Sequence, residues 1–306
     1  MRVFLTGASG FVGSFILRNL ISSGKHEVAA LLRTPESASR IKDLLPNCLL
    51  IRGDLSNQSQ FEAQVNNFQP DAIVHVAWNG VMGNDRNALA QWRNVPEALE
   101  LVEMASRVGA TQWIGLGSQA EYGPCQNKID ETTNTKPTTL YGVSKLAACT
   151  LSEHLCKVLG LRHAWLRLFS SYGPADNSDW LIPYLIRSLF SKQKPSLTGA
   201  EQLWDYIYIE DVASAIRAVL ENQDATGVFN LGSGEALSLR FMIEKIRDLI
   251  DPKLALGFGE VPYRSDQVMH LEADISRLKS LTDWSPNFTF ETAIERTVAW
   301  YSKDKS

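Results

Sequence analysis

Tyr141 and Lys145 stand four residues apart in Tyr141-Gly142-Val143-Ser144-Lys145, which puts both side chains on one face of a helix. Ser118 lies upstream at the end of an apolar run, in Gly117-Ser118-Gln119-Ala120-Glu121-Tyr122. A phenol, an ammonium and a hydroxyl can manage a proton between them. The phenol ionises near ~10 in water, and a cation at close range favours the phenolate. Lowering it by about three pH units corresponds to ~4 kcal/mol, within reach of two cations in a partly dry cleft. Tyr141 would then protonate a carbonyl oxygen, and Ser118 would donate a hydrogen bond to that oxygen as charge develops on it. The spacing alone is weak evidence, because Tyr and Lys recur at this interval by chance; the surroundings give it meaning.

Those surroundings begin at residue 6. Thr6-Gly7-Ala8-Ser9-Gly10-Phe11-Val12-Gly13 joins an apolar run to an amphipathic one, with the spacing G-x-x-G-x-x-G, a variant of the dinucleotide fingerprint. Glycine permits the tight turn, the approach of backbone N–H groups to a pyrophosphate and close helix–strand packing, and the helix N-terminus favours the anion. Gly7, Ser9, Gly10, Phe11, Val12 and Gly13 are therefore the expected phosphate-binding residues. A nicotinamide bound beyond them would exchange hydride with the carbonyl carbon and, when oxidised, provide a second cation beside Tyr141. The second strand ends Leu31-Leu32-Arg33-Thr34, without the acidic residue that grips the ribose 2′-OH of NAD. Arg33 can instead make charge-assisted bonds to a 2′-phosphate, so NADP(H) is expected in preference to NAD(H). Asp54-Leu55 is placed to meet the adenine.

The elements that must position these groups are legible in outline. Strands are expected at 2–6, 27–33, 48–52, 72–77, 112–117 and 162–169, and helices at 10–23, 57–67, 87–108 and 141–159. Strands alternating with helices argue for βαβ units and a parallel sheet covered on both faces. After Pro174 the rhythm changes, with helices expected at 179–191, 210–221, 238–250, 275–281 and 290–302 and extended runs at 205–209 and 227–231. The fold class is thus α/β: a Rossmann-type doubly wound parallel sheet with a smaller, interleaved C-terminal α/β lobe. Residues 1–173 form the dinucleotide-binding part, segments near 205–232 return to it, and 174–306 form mainly the substrate lobe, with a cleft between.

Composition excludes other classes. Thirty basic and thirty-four acidic side chains leave a net charge of −4, which lacks the positive field of a nucleic-acid binder. No apolar run approaches the ~18 residues of a membrane span, and Gly7, Gly10 and Gly13 interrupt the run that follows Arg2, against a signal peptide. Cys48, Cys125, Cys149 and Cys156 show no C-x-x-C pair and no His at ligand spacing, so no metal is expected and free thiols in a reducing cytoplasm are. His75, in an apolar strand, reads as a core residue, and Glu121 as a loop charge near Ser118.

With these residues assembled, the chain resembles the extended short-chain dehydrogenase/reductase family, in its NAD(P)-dependent nucleotide-sugar epimerase/dehydratase/reductase branch. The likeness runs from residue 1 to about residue 300. It rests on the glycine loop, Asp54-Leu55, His75-Val76-Ala77, Ser118, Tyr141 with Lys145, Arg167 with Tyr172-Gly173-Pro174, the segment from Asp205 to Val212, and Asn230-Leu231-Gly232-Ser233-Gly234. The resemblance implies that Ser118, Tyr141 and Lys145 are catalytic. It implies that Val76, Ala77, Trp78, Tyr141 and Lys145 also touch the cofactor, and that Trp78, Asn79, Gln119, Ser170, Trp180, Trp204 and Arg264 are placed to meet a nucleotide sugar. It also implies a homodimer through the helices near 87–108 and 141–159.

Departures from the family pattern narrow the reaction. Dehydratases carry adjacent Asp and Glu after the catalytic hydroxyl, and epimerase-reductases acting at C3 and C5 carry a Cys two residues beyond it; this chain has Gln119 and Ala120. Ser170-Ser171 replaces the usual Asn before Tyr-Gly-Pro, and Trp204 the usual Arg before Asp-Tyr-Ile-Tyr. The expected activity is NADPH-dependent reduction of the C4 ketone of a nucleotide-linked 4-keto-6-deoxyhexose, for surface polysaccharide. The alternative is an NAD-dependent nucleotide-sugar 4-epimerase, and a third reading is a non-catalytic NADP-binding interaction protein.

Overall fold

A computed structural model describes residues 1–263 and 267–303. Six strands alternate with helices along the first half: β1 (Arg2–Thr6), α1 (Phe11–Ser22), β2 (Glu27–Leu32), β3 (Leu49–Arg52), α2 (Glu62–Phe68), β4 (Ala72–His75), α3 (Asn94–Arg107), β5 (Gln112–Ser118), α4 (Leu140–Leu159) and β6 (Arg162–Leu168). The second half holds β7 (Ser170–Tyr172), α5 (Leu181–Phe190), β8 (Leu203–Trp204), β9 (Tyr206–Tyr208), α6 (Ile209–Glu221), β10 (Gly227–Leu231), β11 (Leu237–Ser238), α7 (Leu239–Ile250), β12 (His270–Leu271), α8 (Ser276–Thr282) and α9 (Phe290–Lys303).

β4 and β5 are buried along their whole length, as strands covered on both faces must be. The main sheet has seven strands in the order β10-β6-β5-β4-β1-β2-β3, every pair parallel. Strand order reverses between β1 and β4, and ligands of open α/β sheets bind beyond the carboxyl ends at such a switch. The loop after β1, the residues after β4 and the end of β5 all lie there.

Two apolar layers hold the sheet. Ile16, Leu17 and Leu20 of α1 join Val212, Ile216 and Val219 of α6 on one face, while Leu101 and Met104 of α3 meet Ala148, Cys149 and Cys156 of α4 on the other. The helix expected over 87–108 is instead two short 3-10 turns, Gly83–Asn87 and Leu89–Arg93, before α3. Pro96 lies in the first turn of α3, where backbone N–H groups have no partner inside the helix and proline is tolerated. The helix expected over 57–67 is likewise broken: a 3-10 stretch, Leu55–Gln60, kinks at Asn57 before α2 begins.

After β6 the chain builds two small sheets, β7-β9 and β11-β8-β12, yet α6 and β10 return to the main body. Asp205 is fully buried and clasps two other passes of chain: it accepts from Ser233 N and Oγ (both 2.7 Å), Gly234 N (3.1 Å) and Ala273 N (3.1 Å). Four donors on one carboxylate offset the cost of its burial.

Candidate active site

Ser118 is the last residue of β5 and caps the turn that follows. Its Oγ accepts the Ala120 N–H (3.2 Å), and its own N–H donates to Glu121 Oε1 (2.8 Å). Thr139 caps α4 by accepting the Gly142 N–H (3.1 Å), which sets Tyr141 and Lys145 in the first two turns of that helix. Ser118, Tyr141 and Lys145 are 8%, 9% and 3% exposed. Three polar groups are thus gathered almost out of water, where charge effects are large.

Their electrostatics differ from the sequence expectation. Lys145 Nζ donates to the Leu116 carbonyl (2.5 Å) and lies 3.8 Å from the centroid of the Trp78 ring. Burial holds its pKa well below the usual ammonium range, against the pull of Glu121. Burial also pushes the Tyr141 phenol up; the Ser118 hydroxyl and then the Arg86 guanidinium act against that, and Glu121 with it. The lowering of the phenol by Lys145 is therefore not found here, because the loss of water dominates both groups. Trp78 meets Tyr141 edge-on at 6.3 Å and anchors its indole N–H on Gln91 Oε1 (3.0 Å).

Glu121 is not a loop charge. It is fully buried, and besides Ser118 N it accepts from Trp165 Nε1 (2.9 Å) and Arg167 Nε (2.7 Å). Only those partners, supplied by β6, make a carboxylate tolerable there. His75 is a core residue, paired with Thr6 Oγ1 at 2.8 Å, and burial lowers its pKa to about 3, with the Lys145 charge adding to this.

The glycine loop fits a dinucleotide. Gly7 has φ +76°, and a Cβ there would lie 2.6 Å from Ala77 N; on Gly13 it would lie 2.0 Å from Gly7 O. The Gly10 N–H closes the turn on Gly7 O (3.0 Å), and Gly10 caps α1 without a side-chain bond. The glycines thus let strand, loop and helix close on one another at a helix N-terminus, the arrangement that suits a pyrophosphate. Phe11 and Val12 open α1, and Val76 and Ala77 follow β4 against Gly7. The Ser9 carbonyl accepts from Arg40 (3.5 Å), which also bonds Ala175 O (3.1 Å). Arg33 and Arg52 line one recess with Asp54 and Gln60. Ser56 N and Oγ hold the Asp54 carboxylate (2.9 and 2.8 Å) and lower its pKa, with Arg33 adding to this. Leu55 packs against the core beneath.

The residues expected to meet substrate divide in two. Trp78 meets the Tyr141 ring and Gln119 follows Ser118 in its turn, while Asn79, next to Trp78, donates its N–H to Asn94 Oδ1 (2.8 Å). Ser170 and Trp204 bond each other instead (2.8 Å), and Trp180 is 41% exposed at the start of α5. Arg264 lies outside the described residues. Sequence reading missed Arg86, Arg40 and Arg52; the two arginines on turns obey no spacing rule, and Arg52 is marked only by ending the strand beside Arg33. Among the described residues no group of His, Cys, Asp and Glu could hold a metal ion, and no helix is long and apolar enough to cross a membrane. All four cysteines are free thiols.

Comparison with known proteins agrees with this geometry. The chain is 26% identical to an uncharacterized UDP-glucose epimerase, YtcB, of Bacillus subtilis (strain 168), over 99% of this chain and 98% of that one. It superposes on a UDP-N-acetylglucosamine 4-epimerase from Methanobrevibacter ruminantium M1, solved with UDP-N-acetylmuramic acid, with a TM-score of 0.89 at 24% identity, covering 99% and 98% of the two chains. It superposes on a dTDP-glucose 4,6-dehydratase from Bacillus anthracis (strain Ames), solved with NAD, with a TM-score of 0.87 at 22% identity, covering 100% and 97%. The model of the NAD dependent epimerase/dehydratase family matches residues 3–232. The chain belongs to that family, and with it to the extended short-chain dehydrogenase/reductases.

Proposed function

We propose that this protein carries out oxidation–reduction at C4 of a nucleotide-linked hexose, with Tyr141 moving the O4 proton. The observation that carries the reading is the gathering of Ser118, Tyr141 and Lys145, almost out of water, at the carboxyl end of the sheet that also bears the close-packed glycine loop. A nicotinamide dinucleotide, held by the Gly7–Gly13 loop and the residues after β4, supplies the hydride acceptor or donor when bound. Ser118 would donate to the sugar oxygen, and Lys145, which donates to the Leu116 carbonyl, would hold the nicotinamide ribose. Trp78, Asn79 and Gln119 line the sugar side, with Ser170, Trp180 and Trp204 reserved for the nucleotide side. The division of labour proposed for the chain is 1–173 with 205–232 for the cofactor and the remainder after 174 for substrate.

An epimerase is the form of this chemistry that the relatives support. Tyr141 takes the O4 proton of an alcohol and returns it once the intermediate ketone presents its other face, so no cofactor is consumed. The names of the Bacillus subtilis and Methanobrevibacter relatives and the NAD in the dehydratase structure fit it. Dehydration is not favoured, because Gln119 and Ala120 carry no ionisable group beside Ser118 and the Glu121 carboxylate is turned to Arg167. One observation favours a second reading, one-way reduction of a 4-keto sugar with NADPH. Arg33 and Arg52 share a recess, with no acid at the end of β2, and two guanidinium groups suit a 2′-phosphate.

One experiment separates them. The protein is incubated with UDP-glucose and UDP-N-acetylglucosamine in the presence of NAD, and separately with NADPH and nucleotide-linked 4-keto-6-deoxy sugars. Interconversion of C4 isomers without loss of reduced cofactor marks the epimerase; stoichiometric loss of NADPH absorbance marks the reductase. Turnover in neither arm with any of these sugars overturns the C4 proposal. A homodimer through α3 and α4 is part of the same reading, supported by the exposed Leu140, Val143 and Leu151 on α4.

A further inference from the structure

Arg86 lies on the turn Gly83–Asn87, outside every motif of the sequence. Its guanidinium carbon is 4.7 Å from the centroid of the Tyr141 ring, and its Nε is buried without a hydrogen-bond partner among the described residues. This placement is built from both sides. The next residue, Asn87, accepts the N–H of Leu140, the residue before Tyr141, at 3.1 Å. Gln91 Nε2 ties the turn down by donating to Asp85 O (2.8 Å) and Gly80 O (2.5 Å). Cation and phenol are thus positioned by bonds to their own chain neighbours.

A half-buried guanidinium with an unmade hydrogen bond is unfavourable in itself. It is well placed, however, against a ring that becomes negative, since attraction to a phenolate exceeds that to a neutral ring face. The charged groups that act on Tyr141 are Arg86 from this turn and Glu121 from the turn after β5, beside the Ser118 hydroxyl. Lys145 is turned to the Leu116 carbonyl and the Trp78 face, and Glu121 to Arg167. Among the described residues, Arg86 is the cation that remains for the phenol.

We infer that Arg86 is a positioning residue that favours the ionised form of the Tyr141 phenol against its burial, doing part of the work that the sequence assigns to Lys145. The inference rests on Tyr141 being the proton carrier proposed above. The test places a ring-fluorinated tyrosine at position 141 of the full chain, so that the phenol titrates at accessible pH, and follows it by fluorine NMR without substrate. Arg86→Met is expected to raise the titration midpoint by about one pH unit, a tenfold fall in the ionisation constant. Arg86→Lys, which keeps the charge, is expected to restore at least half of that displacement. An unmoved midpoint in Arg86→Met, or equal displacement in both variants, overturns the inference while leaving the role of Tyr141 intact. Full turnover in Tyr141→Phe would instead remove the proton-carrier reading and leave the titration result standing.

Discussion

Replacing Glu121 with Gln isolates the charge beneath Ser118. The amide keeps the shape of the side chain and one acceptor oxygen, but it sets an NH2 group or a weaker acceptor against Arg167 Nε, now 2.7 Å from a carboxylate oxygen. Arg167 is 5% exposed and cannot shed its proton; its other neighbours, the face of Tyr122 at 4.5 Å from the guanidinium carbon and the Cys149 thiol, carry no compensating charge. Stranding a buried charge costs about 3–5 kcal/mol, and this figure already contains the weakened bonds to Ser118 N and Trp165 Nε1. Glu121→Gln should therefore lose about 3 kcal/mol of unfolding free energy, a large part of the ~5–15 kcal/mol available to a domain. Urea unfolding followed by tryptophan fluorescence measures it, provided the slope of the transition is unchanged. Glu121→Gln combined with Arg167→Met removes both charges and should recover at least ~1 kcal/mol relative to Glu121→Gln. A loss below ~1 kcal/mol for Glu121→Gln would refute the assignment of this pair as a buried, mutually dependent one.

Further outcomes follow from other parts of the molecule. Gly13→Ala puts a Cβ 2.0 Å from Gly7 O, so it should cost about 1–3 kcal/mol in thermal unfolding and abolish dinucleotide binding measured by calorimetry. Arg33→Ala and Arg52→Ala should each weaken NADP binding more than NAD binding, read as the ratio of the two dissociation constants; an unchanged ratio in both would leave the reductase reading without its support. Burial lowers His75 to about 3, helped by Lys145, and His163 to about 4. Below the ordinary 6.5 the unfolded chain takes up protons that the native chain refuses, so stability should fall as pH falls, by about 2 kcal/mol per histidine at about pH 5. Urea titrations at neutral and mildly acid pH check this, and His163→Gln should remove its share of the slope.

The parallel sheet was legible because β1, β2 and β4 to β6 are long apolar runs separated by helical periodicity, and because glycines stand where a strand must turn into a helix. Ser118 and Tyr141 come together in the structure for the same reason: each lies at an element boundary that the pattern marks, and Lys145 follows one turn further along α4. The strands β7, β8, β11 and β12 were missed, being two or three residues long and too short to express an alternation. Glu121 was misread because its fate is decided by Trp165 and Arg167, more than forty residues away. Arg86 was invisible because its value depends on the crossing of a turn and a helix. The Lys145 orientation was unreadable in principle, since a flexible stem can reach either a carbonyl or a neighbouring ring.

Asp205 has a bearing on how such proteins can be re-engineered. The family match stops at residue 232, whereas the partners of this carboxylate sit at Ser233, Gly234 and Ala273. A chimera that grafts the specificity-bearing portion of one relative onto the nucleotide half of another must therefore inherit the aspartate and all three landing points from a single parent. Splicing at the apparent border would separate the carboxylate from donors whose placement, three of them backbone N–H groups, was set in another chain.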